Sequence, residues 1–476
     1  MSDIKNEKIT SRDVDFAKWY TDIVKNAHLA LYTGVKGCTV FEPYSYAIWE
    51  NIQQFLDRRF KETGHSNVYM PMFIPESLLK KEGEHVEGFA PEAAWVTRGG
   101  NNELEEPYAI RPTSETLFCD YYSKVISSYR DLPKLCNQWC SVVRWEKNTR
   151  PFLRTREFLW QEGHTAHETA AEAEAETLQM LNIYKELFEE VLAIPVIVGK
   201  KTEKEKFAGA EYTLTVEALM YDGVSLQSAT SHYFGQKFSV PFGVKFIDRD
   251  NKWQNVYQSS WGVSTRIIGG IIMVHGDDNG LVLPPRIAPH QVSILSIRHD
   301  DAVLNAVEHL AAELKYSGVR VTCDTTNKSA GFKFAEAEIR GIPLRIEIGP
   351  RDLSNGKVVI TRRDNNVKEE VELTNVTKRV QELLDTIHHD MFNKALERNN
   401  KKTYVCHNLG EVKEIMENHP GFVKAMWCGD EACELKFKEF RGCKSRCIPF
   451  EQEHLGDKCI CCGKPAKHMV VWGIQY

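Results

Sequence analysis

The apolar residues of the chain recur at helical spacing in two stretches of its first half. The spacing predicts an amphipathic helix over residues 44–60 and a longer helix over residues 167–192, whose outer face is rich in Ala and Glu. Each stretch is followed by a short apolar run typical of a strand, over residues 67–71, where Pro71 ends the run, and over residues 195–198. The first half therefore mixes helices with strands.

The pattern changes at a proline-rich segment in the second half. Several strand-like segments lie between residues 209 and 282, and residues 283–289 then break both periodicities, which is typical of a linker. Beyond this linker, strand and helix patterns alternate as in a small α/β domain with a parallel or mixed sheet. The predicted elements are strands over residues 292–297, 319–323 and 344–348, helices over 301–317, 331–340 and 375–397, and a hairpin after the third strand.

This order of elements predicts a multidomain protein of the α/β and α+β classes. A chain of 476 residues is long enough for about three domains with full hydrophobic cores. We place the boundaries so that residues 1–285 form the first domain, residues 286–395 an α/β domain, and residues 396–476 a small domain rich in cysteine.

Composition and charge exclude several classes of protein. The hydrophobic content of 42% and charged content of 26% are ordinary for a globular protein, and no apolar run is long enough to span a bilayer. The start, Met1-Ser2-Asp3-Ile4-Lys5, lacks an apolar leader, so we expect a cytoplasmic protein without a membrane partner. The net charge of −6 argues against non-specific binding of nucleic acid, although a local basic face remains open.

The most informative block is a pair of strand-like segments joined by a loop. Arg144-Trp145-Glu146 precedes the loop, and Arg154-Thr155-Arg156-Glu157-Phe158 follows it. Two paired strands would place several guanidiniums and carboxylates on one face. Guanidiniums bind phosphate through bidentate hydrogen bonds, and a carboxylate can accept one from an exocyclic amine such as that of adenine. The alternative is a ladder of surface ion pairs on a hairpin.

A second candidate is the glycine-bounded segment over residues 262–270. It carries one arginine, Arg266, among apolar residues. An arginine there needs a buried anionic partner or an exit to solvent. It could equally be a long side chain on a helix that reaches solvent, so the segment alone is weak evidence.

Together these motifs resemble those of class II aminoacyl-tRNA synthetases. Arg144-x-Glu146 with Arg154-x-x-x-Phe158 is similar to motif 2, the segment from Gly262 to Arg266 to motif 3, and the helix and strand ending at Pro71 to motif 1. The resemblance implies an antiparallel-sheet catalytic domain, a homodimer and a ligase of protein biosynthesis.

Three further segments narrow the resemblance to the prolyl-tRNA synthetases, from about Trp19 to the last residue. They are Arg111-Pro112-Thr113-Ser114-Glu115-Thr116, Phe158-Leu159-Trp160-Gln161-Glu162-Gly163-His164 and Thr230-Ser231-His232. About a hundred residues separate Phe158 from Gly262, so the chain resembles the type without the large editing insertion. The implied activity is that of a proline–tRNA ligase, which forms prolyl-adenylate and pyrophosphate from L-proline and ATP and then transfers prolyl to the 3′-terminal adenosine of tRNA(Pro).

The resemblance also implies which residues bind each substrate. Arg144 and Arg266 are the expected catalytic residues, because their charge would stabilise the reacting α-phosphate. The expected ATP-binding residues are Arg144, Glu146, Arg154, Thr155, Phe158, Gln227, Thr230, Ser264 and Arg266. The expected proline-binding residues are Thr113, Glu115, Arg144, Phe158, Trp160, His164 and His232. Mg²⁺ is expected to accompany ATP.

Residues 290–390 resemble the anticodon-binding domain of class IIa synthetases. Residues 320–363 contain nine Lys and Arg against five Asp and Glu, a local charge of +4 in an acidic protein. That excess suits phosphate contacts, while Glu347, Arg351 and Asp352 could reach base edges. Without the resemblance, an ordinary domain with a mixed surface charge explains the pattern equally well.

Seven of the thirteen cysteines fall at or after Cys428, which indicates a metal site. Four thiolates close a tetrahedral structural zinc site, and such a site stabilises a small domain with little core. Cys461 competes with Cys462 as a ligand, Cys443 and Cys447 form a rival pair, and a metal-free tail is an alternative. The resemblance favours Cys428, Cys433, Cys459 and Cys462 as ligands of structural Zn²⁺.

Two other functions are alternatives to the ligase. One is a non-catalytic, synthetase-like protein that binds uncharged tRNA, and the retained Arg144, Glu146, Arg154 and Arg266 argue against it. The other is a threonyl enzyme, which places zinc in the amino-acid pocket, whereas these cysteines cluster in the tail.

Overall fold

A computed structural model of the chain describes residues 9–81 and 92–476. The start of the chain, Met1 to Lys5, was considered above as a possible leader and lies outside the described residues. Within the described ranges, no helix combines the length and apolarity that crossing a bilayer requires.

The first elements surround helix α2, which confirms the helix predicted over residues 44–60. Helix α2 begins with Pro43 in its first turn, where the missing N–H of proline is tolerated. The strand predicted over residues 67–71 is wrong beyond Asn67, because the Met70 N–H donates to the Gln138 side chain at 2.7 Å rather than to a strand. The elements are α1 Phe16–Asn26, β1 Ala30–Tyr32, β2 Thr39–Phe41, α2 Pro43–Glu62, β3 Ser66–Asn67, β4 Phe73–Pro75, α3 Glu76–Leu79, β5 Ala94–Gly99, β6 Asn102–Ile110 and α4 Glu115–Val125.

A long antiparallel sheet follows, with buried helices packed against it. Before the proline-rich segment of the chain, its strand order is β9-β10-β11-β14-β8-β7-β3, in which β3 alone pairs in parallel. The elements are β7 Lys134–Val143, β8 Glu157–His167, α5 Ala170–Glu186 with a π-helical turn over Leu187–Val191, β9 Val196–Lys200, β10 Tyr212–Leu219, β11 Ser225–Gly235, α6 Ser239–Phe242, β12 Lys245–Ile247, β13 Trp253–Asn255, β14 Tyr257–Ser264 and α7 Arg266–His275.

Two sequence predictions differ from these bounds. The helix predicted from residue 167 begins at Ala170, because His167 still belongs to β8 and Thr169 forms a capping box with Glu172. The region over residues 209–282, predicted to be rich in strands, also contains helix α7. Between its end residues Arg266 and His275, that helix is apolar on every side and buried, so it shows no helical period in the sequence.

The next domain confirms the predicted alternation and the mixed sheet. Strands β16, β15 and β17 pair in parallel, and β18 and β19 form the expected hairpin at the edge of the same sheet. The elements are β15 Val292–Ser296, α8 Asp301–Tyr316, β16 Val321–Asp324, α9 Ala330–Ile339, β17 Leu344–Ile348, α10 Pro350–Ser354, β18 Lys357–Arg362, β19 Lys368–Glu372 and α11 Val376–Lys401. The boundary predicted after residue 395 falls inside helix α11.

The C-terminal segment adds strands to the same long sheet. Strand β22 pairs with β9 through Ile448 opposite Lys200 and Pro449 opposite Gly199, so one sheet of eleven described strands runs through both regions. A Cβ on Gly199 would lie 2.4 Å from the Ile448 carbonyl oxygen, and glycine therefore allows this approach. The elements are β20 Thr403–Val405, α12 Leu409–Asn418, β21 Phe422–Trp427, α13 Glu431–Lys436, β22 Lys444–Pro449 and β23 His468–Gly473.

Candidate active site

A cavity of about 210 Å³ lies on the catalytic sheet, and a smaller hollow of about 30 Å³ adjoins it. Arg144, Phe158, Ser264 and Arg266 line both spaces. The cavity is also lined by Thr113, Glu115, Trp160, Gln227, Thr230 and His232, and the hollow by Glu146, Arg154 and Thr155. The structure thus brings together every predicted site residue of the catalytic domain except His164.

Strand β8 supplies one wall of the cavity because of its two-residue period. Phe158, Trp160, Glu162 and His164 alternate with residues of the opposite face, and β8 pairs with β7 along its whole length. His164 is buried but does not itself line the cavity. Its ring stacks on Phe118 with centroids 4.1 Å apart, so it supports the wall from behind.

The cationic end of the cavity is formed by the guanidiniums of two half-buried arginines. Arg144 donates from Nε to the Pro112 carbonyl at 3.0 Å, and its guanidinium lies 5.5 Å from the centre of the Phe158 ring. Arg266 is the first residue of α7 and donates from Nε to the Leu153 carbonyl at 3.1 Å. Burial and the nearby Arg144 lower the pKa of Arg266 to about 10, so it is still charged at neutral pH. This end attracts anions.

The loop between β7 and β8 is anchored at its tip. Phe152 and Leu153 are buried there, and the Tyr20 hydroxyl of helix α1 donates to the Pro151 carbonyl at 2.6 Å. Arg154, further along the loop, has its Nε 3.8 Å from Glu146 Oε1. The anchored tip fixes where the loop's cations stand relative to the cavity.

The other end of the cavity carries hydrogen-bond acceptors. Thr113 Oγ1 donates to Glu115 Oε2 at 2.5 Å, and both residues are buried. The two ring nitrogens of His232 are flanked by the hydroxyls of Thr213 at 2.9 Å and Thr230 at 3.0 Å. Burial lowers the pKa of His232 to about 3, which keeps its imidazole neutral. A carboxylate and aromatic walls at this end suit a small cation with an apolar body.

Sequence reasoning missed Glu162 as a site residue. Glu162 lines the cavity, and its carboxylate is bound by Ser114 Oγ at 2.5 Å, Gln138 Nε2 at 2.7 Å and His164 Nε2 at 2.8 Å. Burial opposes its ionisation, but the hydrogen bond and charge of His164 and the other two donors outweigh burial and lower the pKa of Glu162. The alternation of β8 was the signal that could have found it.

Four cysteine sulfurs form a second candidate site in the C-terminal region. The sulfurs of Cys428, Cys433, Cys459 and Cys462 lie within 4.8 Å of one another, with separations of 3.8 Å for Cys428–Cys433 and 3.7 Å for Cys428–Cys462. Ligands about 2.3 Å from a tetrahedral ion are spaced by roughly 3.8 Å, so the cluster is compatible with one metal ion. Cys461 turns its sulfur towards the Cys433 carbonyl instead.

Comparison with known families covers three parts of the chain. Residues 95–275 match the class II core domain of the tRNA synthetases for G, H, P, S and T. Residues 291–383 match an anticodon binding domain, and residues 409–476 match the C-terminal domain of prolyl-tRNA synthetase.

Curated proteins resemble the chain over nearly its whole length. The proline–tRNA ligase of Clostridium novyi is 60% identical over 471 residues, which are 99% of this chain and 98% of that protein. Proline–tRNA ligase 2 of Bacillus cereus is 59% identical over 99% of both chains. The proline–tRNA ligase of Lachnospira eligens is 59% identical over 99% of this chain and 98% of that protein. With identity this high over the full length, the chain belongs to the prolyl-tRNA synthetase family, the proline–tRNA ligases.

Proposed function

We propose that the cavity is the site at which this ligase activates L-proline with ATP and transfers prolyl to tRNA(Pro). One observation carries the proposal. The residues expected to bind ATP and those expected to bind proline come from distant parts of the chain, yet all of them except His164 line two adjoining spaces that share Arg144 and Phe158.

In the first step, the cationic end holds the nucleotide. Glu146 accepts the adenine amine, Phe158 and Arg266 enclose the ring, and Arg144 and Arg266 bind the α-phosphate. Arg154 and Thr155 contact the nucleotide from the loop, while Gln227, Thr230 and Ser264 contact it from β11 and β14. Mg²⁺ bound with ATP would supply positive charge that neutralises the β- and γ-phosphates.

The other end of the cavity holds proline. Glu115, with Thr113, accepts the secondary ammonium, and Trp160, Phe158 and neutral His232 enclose the ring, with His164 supporting this wall from behind. A carboxylate oxygen of proline then attacks the α-phosphorus, and pyrophosphate leaves. The two arginines stabilise the negative charge that builds on the α-phosphate.

In the second step, the 3′-hydroxyl of the terminal adenosine of tRNA attacks the carbonyl carbon of prolyl-adenylate. AMP leaves, and the same arginines are placed to stabilise its phosphate. The anticodon-binding domain holds the tRNA at a distance from this chemistry. Glu347 is buried there and accepts from Arg345 Nη2 at 2.9 Å, and Asp352 caps α10, so we assign base contact to the exposed Arg351.

We further propose that the four-cysteine cluster holds a structural Zn²⁺, that the ligase is a homodimer and that it works in the cytoplasm. A second copy would cover exposed apolar side chains on and near the motif 1 region. They include Leu31, Tyr32, Val40, Tyr69 and Phe73. We infer the cytoplasmic location from the role of this family in translation.

The test is amino-acid-dependent ATP–pyrophosphate exchange with proline, alanine, cysteine and threonine. Strong exchange with proline is expected, together with weaker exchange with alanine or cysteine, since one methylene contributes only about 1–3 kcal/mol to discrimination. Folded, zinc-loaded protein that gives no exchange with any amino acid would favour the non-catalytic tRNA-binding function instead.

A further inference from the structure

Three buried charged side chains connect the C-terminal segment to the wall of the cavity. Lys201 follows β9, Glu217 lies in β10 and Arg446 lies in β22, and their exposed fractions are 2%, 0% and 0%. Lys201 Nζ lies 2.6 Å from Glu217 Oε1, and Arg446 Nη1 lies 3.8 Å from Glu217 Oε2. Glu217 thus stands between a cation of the catalytic domain and a cation of the C-terminal segment.

Irregular strand pairing brings these side chains together. In β22, Ser445 pairs with Trp472 and Cys447 with Val471, so Arg446 is an extra residue in a β-bulge. A second bulge lies between Val216 and Glu217 where β10 pairs with β11. Bulges change the direction in which a side chain points. Here they accompany a fully buried arginine that faces a carboxylate of another domain.

Arg446 is not explained by local hydrogen bonding. Its Nη2 donates to the Ser445 carbonyl at 2.8 Å, but in the described part of the chain Nε and Nη1 have no hydrogen-bond partner, and neither has Glu217 Oε2. A buried guanidinium that only joined two domains would be expected to satisfy its donors. The ion pair with Glu217 is the contact by which the charge of Arg446 reaches the catalytic domain.

The same cluster borders the cavity beside residues expected to bind ATP. Lys201 lines the cavity, and so do Gln227 and Arg266. Glu217 pairs across the sheet with Gln227, and its charge is felt by Arg266. One carboxylate and two cations leave a net charge of +1 beside the space where the polyphosphate of ATP is expected.

We propose that Arg446 is a positioning residue for amino-acid activation: by sharing Glu217 with Lys201, it keeps the cavity wall positively charged towards the polyphosphate of ATP. The inference rests on the proposed function and extends it to the C-terminal segment. Without Arg446, the negative charge of Glu217 cancels that of Lys201, and the wall becomes neutral.

The test measures the Kd of Mg·ATP by calorimetry, without proline or tRNA, and the KM values in ATP–pyrophosphate exchange. Arg446→Met is expected to weaken Mg·ATP binding about tenfold, the order for one unit charge roughly 10 Å away at an effective dielectric of about 20. The KM for proline should stay within about twofold of the wild-type value. Arg446→Lys should recover most of the loss because it restores the charge.

Glu217→Gln separates electrostatics from structural damage. It removes the one negative charge of the wall, so Mg·ATP should bind more tightly, and Arg446→Met combined with Glu217→Gln should bring the Kd back towards the wild-type value. Lys204→Met is the matched control, because Lys204 forms an interdomain ion pair with Glu431 at 2.7 Å but does not line the cavity. It should leave the Kd unchanged.

Weaker binding in Glu217→Gln, or a double variant worse than Arg446→Met, would overturn the proposal and leave Arg446 a structural residue. If Arg446→Met fails to fold, Glu217→Gln and Arg446→Lys still decide the question. Since calorimetry needs no catalysis, a protein that binds Mg·ATP as expected but gives no exchange would refute the proposed function and not this inference.

Discussion

Replacing Glu162 by glutamine keeps the shape of a buried side chain and removes its charge. In the folded protein the carboxylate accepts from Ser114 at 2.5 Å, from Gln138 at 2.7 Å and from His164 at 2.8 Å, in a wall of the cavity. The amide of Glu162→Gln has only one acceptor oxygen, so its NH₂ group must face one of the three donors.

The loss of stability can be worked from these contacts. A hydrogen bond to a charged group contributes about 1.5–3 kcal/mol and a neutral one about 0.5–1.5 kcal/mol, so the bonds from Ser114 and Gln138 each lose about 1 kcal/mol. The contact with His164 leaves a buried donor unsatisfied, which costs about 1–3 kcal/mol. The free energy of unfolding should therefore fall by about 3–5 kcal/mol in urea titrations.

Of the two KM values, only the one for proline should change. The variant removes one of the two buried carboxylates, Glu115 and Glu162, that favour the ammonium, so the KM for proline should rise about tenfold while that for ATP changes little. Glu174→Gln, on the exposed face of α5, is the control and should behave as wild type. Unchanged stability and an unchanged KM for proline would refute this account of the wall.

Three other predictions concern packing, metal and pH. Gly163→Ala would place a Cβ 2.1 Å from a ring atom of the wholly buried Trp261, so the free energy of unfolding in urea should fall by about 3 kcal/mol. Gly34 faces open space, so Gly34→Ala should leave the free energy of unfolding unchanged. Cys462→Ser should lower both the melting temperature and the amount of bound zinc, which is measured by mass spectrometry, whereas Cys461→Ser should retain one Zn²⁺ per chain. Equal loss of zinc in both variants would contradict the assignment of these four cysteines as ligands. Burial lowers the pKa of His275 from 6.5 to about 3, so the unfolded chain takes up a proton that the folded one excludes. The stability due to neutral His275 is therefore complete above about pH 6.5 and is lost as pH falls, by about 1.4 kcal/mol per pH unit, and His275→Gln should reduce that slope in urea titrations at pH 7, 6 and 5.

Strong periodicity made the amphipathic elements predictable. The helix expected over residues 301–317 is Asp301–Tyr316, and the one expected over 44–60 is Pro43–Glu62. Helix α7 was not predictable in this way, because Ile267, Ile268, Ile271 and Ile272 lie among glycines and are buried on all sides.

Site residues that lie in short sequence motifs were predictable, whereas residues brought to the site by tertiary contacts were not. Arg144 and Glu146 directly follow β7, and Phe158 lies at the start of its partner β8, so their sequence spacing already places them together. Arg446 reaches the same region from three hundred residues away through a bulge, which no local pattern shows. The position of Cys461 outside the sulfur cluster likewise depends on the turn that holds it.

The pairing of β22 with β9 has a consequence for synthesis on the ribosome. Residues 199 and 200 meet their partners only when residues 448 and 449 have been made, 248 residues later. At about 5–20 residues per second, that interval lasts about 12–50 s, during which β9 is an open edge that can pair with other chains. We therefore expect this edge of the nascent ligase to need protection from pairing with other chains until β22 has been made.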